Sequence, residues 1–592
     1  MLEPGERRRA WAVAGLTVGM ALVEMLGVAS IMPFVGVLAK PEIIQTNRYV
    51  SAIYATLGFE SLERFLVFLG AATFVLLIGS TALRALTLWA QLKFTNNQNH
   101  LLAQRLFSGY LGQPYEWFLN RHSSGFSAKI LSEVTYVVQG AFFVAMVLLA
   151  NVCVSLFLVL LLFAVDPLLA VGMAGLIGLT YVSVFQIARR YLVRAGAERG
   201  AANEARFRVL NEAFGGIKEI KIGGLERTFA RRFRTPSQLL ARHSVSTMMI
   251  SEFPSYFMQA LILGGMVLVL VYLIGARGGV QEALPFVALY ALAGYRLMPA
   301  LQGIYRGVTQ LKVMMPSALA LSRDLNEVAP AAEVVERDAP SEIAVRWQFC
   351  SKLELKAVSY KYPQAVSWAL DGVTLEIPAF TTVGLVGPTG SGKTTLIDLI
   401  LGLIRPTAGE LLADGVPITA ANMQEWQQLI GYVPQSIFVS DDTVAANIAF
   451  GVRKDCIDMN AVIRAARVAR LHEFVETLPS GYQTSVGENG VRLSGGQRQR
   501  IGIARALYHD PEILIFDEAT SALDSVTEHG VMDAIHDLAR KKTIILIAHR
   551  LNSVRECDCI YLLEQGRITA SGRYEDLVES NMVFRNMAGQ RD

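Results

Sequence analysis

Two patterns of apolar and polar residues divide this chain. Between residues 10 and 310 long apolar stretches alternate with polar connections; beyond residue 350 the apolar runs are short and bounded by Gly, Pro and charged residues. A helix crossing the hydrocarbon core of a bilayer needs about 20 apolar residues. Six stretches qualify: Trp11–Leu38, Phe65–Ala90, Val137–Val165, Leu168–Ile187, Tyr256–Ile274 and Leu284–Val308. Only Asp166-Pro167 separates the third from the fourth, which predicts a tight helical hairpin. Between spans one and two, Val50, Ile53, Tyr54 and Leu57 fall at i, i+3, i+4 and i+7, one apolar stripe on a short helix. That stripe fits either the membrane interface or the neighbouring spans.

The second pattern predicts an α/β domain. Strand-like alternation starts at Leu353–Ser359, after a polar, proline-bracketed stretch at Pro330–Pro340. The expected organisation is a transmembrane domain over 1–320, a linker over 321–350 and a separate α/β domain over 351–592. Thr382–Val386 is a short apolar strand, and Thr395–Leu401 reads as a helix. Ile513–Asp517 and Thr543–Ala548 read as buried strands.

Composition agrees with this asymmetry. Apolar residues make up 52% of the chain and charged ones 18%, against ~25% charged in a typical soluble protein. A net charge of +3 gives no reason to expect a nucleic-acid partner. Charge placement is more informative. Twelve Arg and Lys lie between Arg189 and Arg234, whereas Lys40, Arg48 and Arg64 in the first outer loop are balanced by Glu42, Glu60 and Glu63. The bias of basic residues towards the cytoplasm puts the N-terminus, the basic connections and the C-terminal domain on that side. Arg7–Arg9 precede an apolar stretch too long for a signal peptide, so it is read as a retained span. Of the five cysteines only Cys557 and Cys559 are close, a poor zinc signal that reads as reduced or buried thiols.

The chemistry sits between the short strands. Gly387-Pro-Thr-Gly-Ser-Gly-Lys-Thr394 joins a strand to a helix, the context a phosphate-binding loop requires. Gly387, Gly390, Ser391 and Gly392 let backbone N–H groups converge on phosphate oxygens, and the helix start adds partial positive charge. Lys393 is expected at the β- and γ-phosphates of ATP, with Thr394 on Mg²⁺ and Thr395 beside it. Asp517, at the end of its strand, suits the Mg²⁺ shell, and Glu518 stands where a general base can polarise water.

Many ATPases carry the loop alone. Followed by Leu493-Ser-Gly-Gly-Gln497, Asp517-Glu518 and His549, it resembles only the ATP-binding cassette (ABC) superfamily. With six spans before it, the chain resembles the exporter class: an all-α six-helix transmembrane domain followed by an α/β P-loop NTPase domain. The resemblance implies further roles. Gln435 matches the Q-loop glutamine and shares in Mg²⁺ sensing, and His549 matches the switch histidine. Asp524, in Ser521–Asp524, matches the D-loop, and Thr484–Gly490 the exporter X-loop. Tyr362 is the candidate to stack on adenine, with Tyr360 as its substitute, although an aromatic here also fits the core. Bends near Pro114–Arg121 and Gly215–Glu219 match coupling helices. Ser494, Gly495, Gly496 and Gln497 cap the nucleotide of a facing domain. One copy per chain therefore implies a second half-transporter chain, most simply a homodimer.

Charges within spans are costly and have a reason. Here they are Glu24, Arg84 and Arg296. They fit a structural pairing or a cationic cavity for an anionic substrate, which arginine's planar fork suits. Tyr295–Pro299, Arg84, Glu24 and the outer stripe together resemble the bacterial lipid-linked oligosaccharide flippases. That likeness implies an inner-membrane flippase for a polyprenyl-diphosphate-linked glycan, with Arg84 and Arg296 as pyrophosphate ligands and Val50–Leu57 on the lipid tail. One position departs: Ser255 follows Pro254 where that family carries an arginine, and Arg306 is the candidate substitute. The alternative cargoes are a lipid A-like glycolipid, a peptide or a drug. An ATP-gated channel or regulator is the alternative from another class, and intact Glu518 argues against it.

Overall fold

The structure, a computed structural model, describes residues 4–119, 121, 123–276, 280–328, 347–363, 365–518, 532–533, 538–548 and 551–589. His549, Asp524 with the rest of Ser521–Asp524, and most of the expected linker lie outside the described residues. The chain divides into two compact units, Met1–Gln113 with Trp117–Glu336, and Pro114–Glu116 with Arg337–Asp592.

The first unit is helical. Backbone polar groups inside hydrocarbon must bond within their own segment, so apolar spans become unbroken helices. Among the described residues, Pro4–Ala39, Leu62–Leu111, Gly125–Val165, Pro167–Gly215 and Leu284–Glu327 are long and apolar enough to cross a membrane. The expected span Tyr256–Ile274 lies inside the helix Glu226–Ala276. The helices Leu62–Leu111, Pro167–Gly215 and Glu226–Ala276 run for 50, 49 and 51 residues. At 1.5 Å per residue each is roughly 75 Å long, more than twice the ~30 Å core.

Their ends follow local chemistry. Pro167 opens its helix, where a missing N–H costs nothing, and the Asp166 carboxylate accepts from the Leu169 N–H at 3.2 Å. The first span is not one helix. It breaks at Ser30 into Pro4–Ala29 and Ile31–Ala39, three residues before Pro33, which has no N–H to bond the Ala29 carbonyl. Both expected bends are short helices, Tyr115–Leu119 and Ile217–Gly223, the second closed by Gly224 at φ +60°. The third span starts upstream of Val137 and contains two π-helical segments, Ala128–Glu133 and Val138–Phe143. The outer stripe does form a helix, Arg48–Thr56. Val50 and Tyr54 pack against Phe65, whereas Ile53 and Leu57 are exposed.

Spans meet through small residues. A side-chain carbon added at Gly196 would lie 2.1 Å from the Val313 carbonyl oxygen of the last helix, and one at Gly303 would collide with Asn151. The Gly303 contact lies within the spans, where lipid is as apolar as the side chains and close approach is how helices gain contact; the Gly196 contact lies in the continuation of its helix beyond the expected span.

The second unit carries two sheets. β1 (Lys352–Tyr360), β2 (Leu370–Pro378), β4 (Ala408–Ala413) and β5 (Val416–Pro417) form an antiparallel sheet in the order β2-β1-β4-β5. β3 (Thr382–Val386), β6 (Ile430–Val433), β7 (Ile513–Asp517), β8 (Thr543–Ile547), β9 (Cys559–Glu564) and β10 (Arg567–Gly572) form the other, in the order β10-β9-β3-β8-β7-β6. All its pairings are parallel except β10 with β9. Every residue of β3, β7 and β8 is buried, as expected of strands covered on both faces. The sheet places β3 beside β8 and β8 beside β7, so the ends of β3 and β7 lie close together.

Gly196→Ala is expected to destabilise the first unit by about 1–3 kcal/mol through overpacking. Gly172→Ala, on the same helix with nothing within 4 Å of the added carbon, is the control. Melting of the detergent-solubilised protein checks the pair.

Candidate nucleotide site and intramembrane charge cluster

Above β3 the chain turns through Gly387, Gly390 and Gly392, whose φ values are +154°, +80° and +104°. These conformations favour glycine, and space demands it too. A carbon added at Gly387 would sit 2.1 Å from the Leu563 carbonyl oxygen, and one at Gly392 2.7 Å from that of Ala369. The helix that follows is Lys393–Ile400, starting two residues earlier than its apolar pattern suggested, with Gly392 as its N-cap. Lys393 is buried, and its ammonium donates to the carbonyls of Gly387 at 2.7 Å and Pro388 at 3.0 Å. It thus spans the loop. Burial lowers its pKa, opposed by the carboxylates of Glu518 and Asp517. A third contact runs to Ser391 Oγ at 3.5 Å, and a buried cation held by neutral groups beside a cradle of backbone N–H groups fits a polyphosphate. Ser391 and Thr395 are buried and Thr394 is exposed.

Asp517 ends β7 nearly buried, and the Tyr432 hydroxyl donates to it at 3.3 Å. Glu518 follows with φ +50°, uncommon for a residue with a side chain. Its N–H donates to the Ile547 carbonyl at 3.2 Å, and its carboxylate accepts from the Gln435 amide at 2.8 Å. The fold therefore brings together three residues that the sequence keeps apart: Gln435 after β6, Glu518 after β7 and Lys393 after β3. Asp517 and Thr394 supply oxygen donors suited to a hard cation such as Mg²⁺.

Tyr362 is half-buried. Its hydroxyl lies 3.1 Å from Thr395 Oγ1, and its ring meets Tyr360 edge-on at 5.0 Å. Ser494 caps the helix Gly495–Leu507 in a capping box with Gln497, and Ser494 itself is exposed. Leu493 beneath it is buried, so the N-terminal turn carrying Gly495 and Gly496 is anchored while its cap faces outward.

Two neighbours of the site escaped sequence reasoning. One is Tyr432, whose strand pairing puts it beside β7. The other is Asp398, one helical turn beyond Thr394, a spacing that could have flagged it. Burial pushes the Asp398 carboxyl up to about 6, and the Asp517 carboxylate adds to the shift.

Within the first unit, Glu24, Arg84 and Arg296 converge from three helices. Glu24 Oε1 lies 3.1 Å from an Arg296 nitrogen and 3.6 Å from one of Arg84. Glu24 is 2% exposed, Arg296 16% and Arg84 48%. The pairing reading of these charges is thus realised, with two cations to one anion. Ser255 is buried and donates to the Glu252 carbonyl. Arg306 pairs with the Glu252 carboxylate at 2.6 Å, so it is tied elsewhere. A separate apolar cavity of about 330 Å³ is lined by Leu162, Tyr181, Phe185, Leu297 and Tyr305, among others. Among the described residues no cluster of His, Cys, Asp and Glu forms a metal site, and all five cysteines are free.

The ABC transporter family model matches residues 370–521, and the ABC transporter transmembrane region model matches 18–292. The ATP-dependent lipid A-core flippase of Chromobacterium violaceum is 34% identical over 509 residues, 82% of this chain and 81% of that protein. That of Cupriavidus pinatubonensis is 35% identical over 393 residues, and the chain spans 63% of its length. A solved bacterial Atm1-family ABC exporter with ATP bound shares the fold at TM-score 0.75 and 23% identity, over 98% of this chain and 97% of that one. The protein is an ATP-binding membrane transporter of exporter architecture. The chain belongs to the ABC transporter family, as a multi-pass half-transporter whose ATP hydrolysis is coupled to transport.

Asp398 gives a pH signature. Its folded pKa, about 6, lies above the ordinary 3.8. Its charged form therefore destabilises the fold, fully above about pH 6 and hardly at all near pH 4. Asp398→Asn, without nucleotide, is expected to stabilise the second unit at pH 8 by about 1 kcal/mol after allowance for solvent screening, or ~2–4 °C in melting midpoint. The gain should vanish as the pH is lowered towards 4.

Proposed function

We propose that the protein is a homodimeric flippase of the bacterial inner membrane, with its ATPase domain in the cytoplasm. Its cargo in this reading is a phosphorylated, lipid A-like glycolipid moved from the inner to the outer leaflet. The observation that carries the cargo class is the meeting of Arg84 and Arg296 at Glu24 within the spans, a net cationic site suited to phosphate. A polyprenyl-diphosphate glycan, the cargo first suggested by sequence resemblance, becomes the second reading. Ser255 interrupts that family's arginine pattern, Arg306 is engaged by Glu252, and the relatives quoted are named lipid A-core flippases. The diphosphate keeps its claim through the same two arginines.

For the ATPase, the loop N–H groups of Gly387–Thr394 and the Lys393 ammonium take the phosphates, and Tyr362 the adenine. Thr394, Asp517 and Gln435 would hold Mg²⁺, which would supply positive charge to offset that of the phosphates. Glu518 orients the attacking water and accepts its proton. The Gln435 amide, 2.8 Å from that carboxylate, fixes its direction. His549 and Asp524 complete the site by their sequence positions. The exposed cap at Ser494, with Gly495, Gly496 and Gln497, is offered to the nucleotide on the second chain. Two composite sites follow from the symmetry of a homodimer.

The test uses proteoliposomes and fluorescent cargo. Wild type is expected to move a bisphosphorylated lipid A-type glycolipid between leaflets with ATP. Glu518→Gln should retain nucleotide binding but lose ~10²-fold or more of its ATPase and all transport. Movement of a polyprenyl-diphosphate glycan alone would shift the assignment to the second reading. ATP hydrolysis with neither cargo moved would sink both.

A further inference from the structure

We propose that Glu24 sets the charge a substrate must carry: it is a resident anion that a dianionic phosphate displaces and a monoanionic phosphodiester does not. This rests on the flippase reading above. A bilayer presents phosphodiester lipids in vast excess over any glycolipid cargo, so a bare pair of intramembrane arginines would be occupied by bulk lipid. Glu24 prevents this by occupying the fork itself.

The geometry fits a displaceable ligand better than a settled ion pair. Only Oε1 of Glu24 faces the two guanidinium groups, at 3.1 Å from Arg296 and 3.6 Å from Arg84. Its Oε2 is buried without a hydrogen-bond partner, as is Nε of Arg296. A carboxylate with both oxygens matched to one arginine fork would leave neither. The cluster therefore has unused donors and acceptors in a place where each is costly. Arg84, nearly half exposed, leaves the cluster open on one side.

Charge then decides the exchange. Two guanidinium groups against one carboxylate leave one positive charge. Displacement leaves the Glu24 carboxylate unpaired whichever anion replaces it; a phosphodiester, with a single negative charge, only exchanges one monoanion for another and has nothing to offset that cost. A phosphomonoester carries close to two negative charges and presents three acceptor oxygens, enough to engage both arginines. Selectivity arises by penalising the wrong ligand as well as by attracting the right one.

The measurement is stimulation of ATPase activity in detergent micelles by three probes. They are a disaccharide glycolipid with two phosphomonoesters, its dephosphorylated form, and phosphatidylglycerol. Wild type is expected to respond to the bisphosphorylated lipid at concentrations at least tenfold below those needed for phosphatidylglycerol. Glu24→Gln should narrow that ratio about tenfold, chiefly because phosphatidylglycerol gains. If the variant does not fold, Glu24→Asp, whose carboxylate is drawn back by one methylene, should narrow it about threefold. An unchanged ratio in the folded variant, or equal response of wild type to both phospholipids, overturns the proposal. A purely structural Glu24 would alter melting and leave the ratio alone. Absence of any response of wild type to the phosphorylated glycolipid would instead overturn the flippase reading itself.

Discussion

Polar groups inside hydrocarbon have no water to fall back on, and the architecture of the first unit follows from that. Backbone groups solve the problem by closing into helices, interrupted in the first span at Ser30 but continuous through Pro254, Pro285 and Pro299. Side chains solve it by meeting one another, as Gln91 does with Thr17 at 3.3 Å and Glu24 with two arginines. Glycine lets some of these helices approach closely, as at Gly303 against Asn151. An intramembrane charge thus depends on helix packing to bring its partners within reach.

The second unit rests on a different constraint with a similar outcome. A parallel sheet buried on both faces leaves its chemistry at the strand ends, where loops leave the core. Lys393 and Glu518 lie at such ends, with Gln435 just past a third. The loop holding Lys393 is shaped by glycines that admit neighbouring carbonyls at close range. The left-handed backbone of Glu518 turns the chain immediately after Asp517, separating the carboxylate bonded by Tyr432 from the one bonded by Gln435. Two adjacent acids in the sequence thereby acquire different environments and can serve different chemical roles.

Much of this was legible in the sequence. The hairpin at Asp166-Pro167, β3 and β7 emerged with the bounds the structure gives, and each expected span falls inside a helical segment, although most of those segments run far beyond it. Each depends on hydrogen bonds or periodicities within a few residues. Small errors also had local causes. The loop helix begins at Lys393 because Gly392 caps it, which the apolar pattern starting at Thr395 does not report. The π-helical segments of the third span, Ala-Lys-Ile-Leu-Ser-Glu and Val-Gln-Gly-Ala-Phe-Phe, carry no proline or other residue that marks the change of period.

What the sequence determined alone is the class of machine: spans long enough for a bilayer, and a glycine-rich loop, acid pair and cassette signature at their characteristic spacings. Tertiary structure alone decided which distant residues meet. Glu24 and Arg296 are 272 positions apart, and Gln435 and Glu518 are 83 apart. A uniformly apolar helix does not encode which face turns inward, and a parallel sheet does not announce its strand order. Both are settled when whole surfaces pack. For this reason the nucleotide chemistry could be read from local motifs, whereas the sequence offered pairing of the intramembrane charges only as one of two readings and the fold gave the geometry.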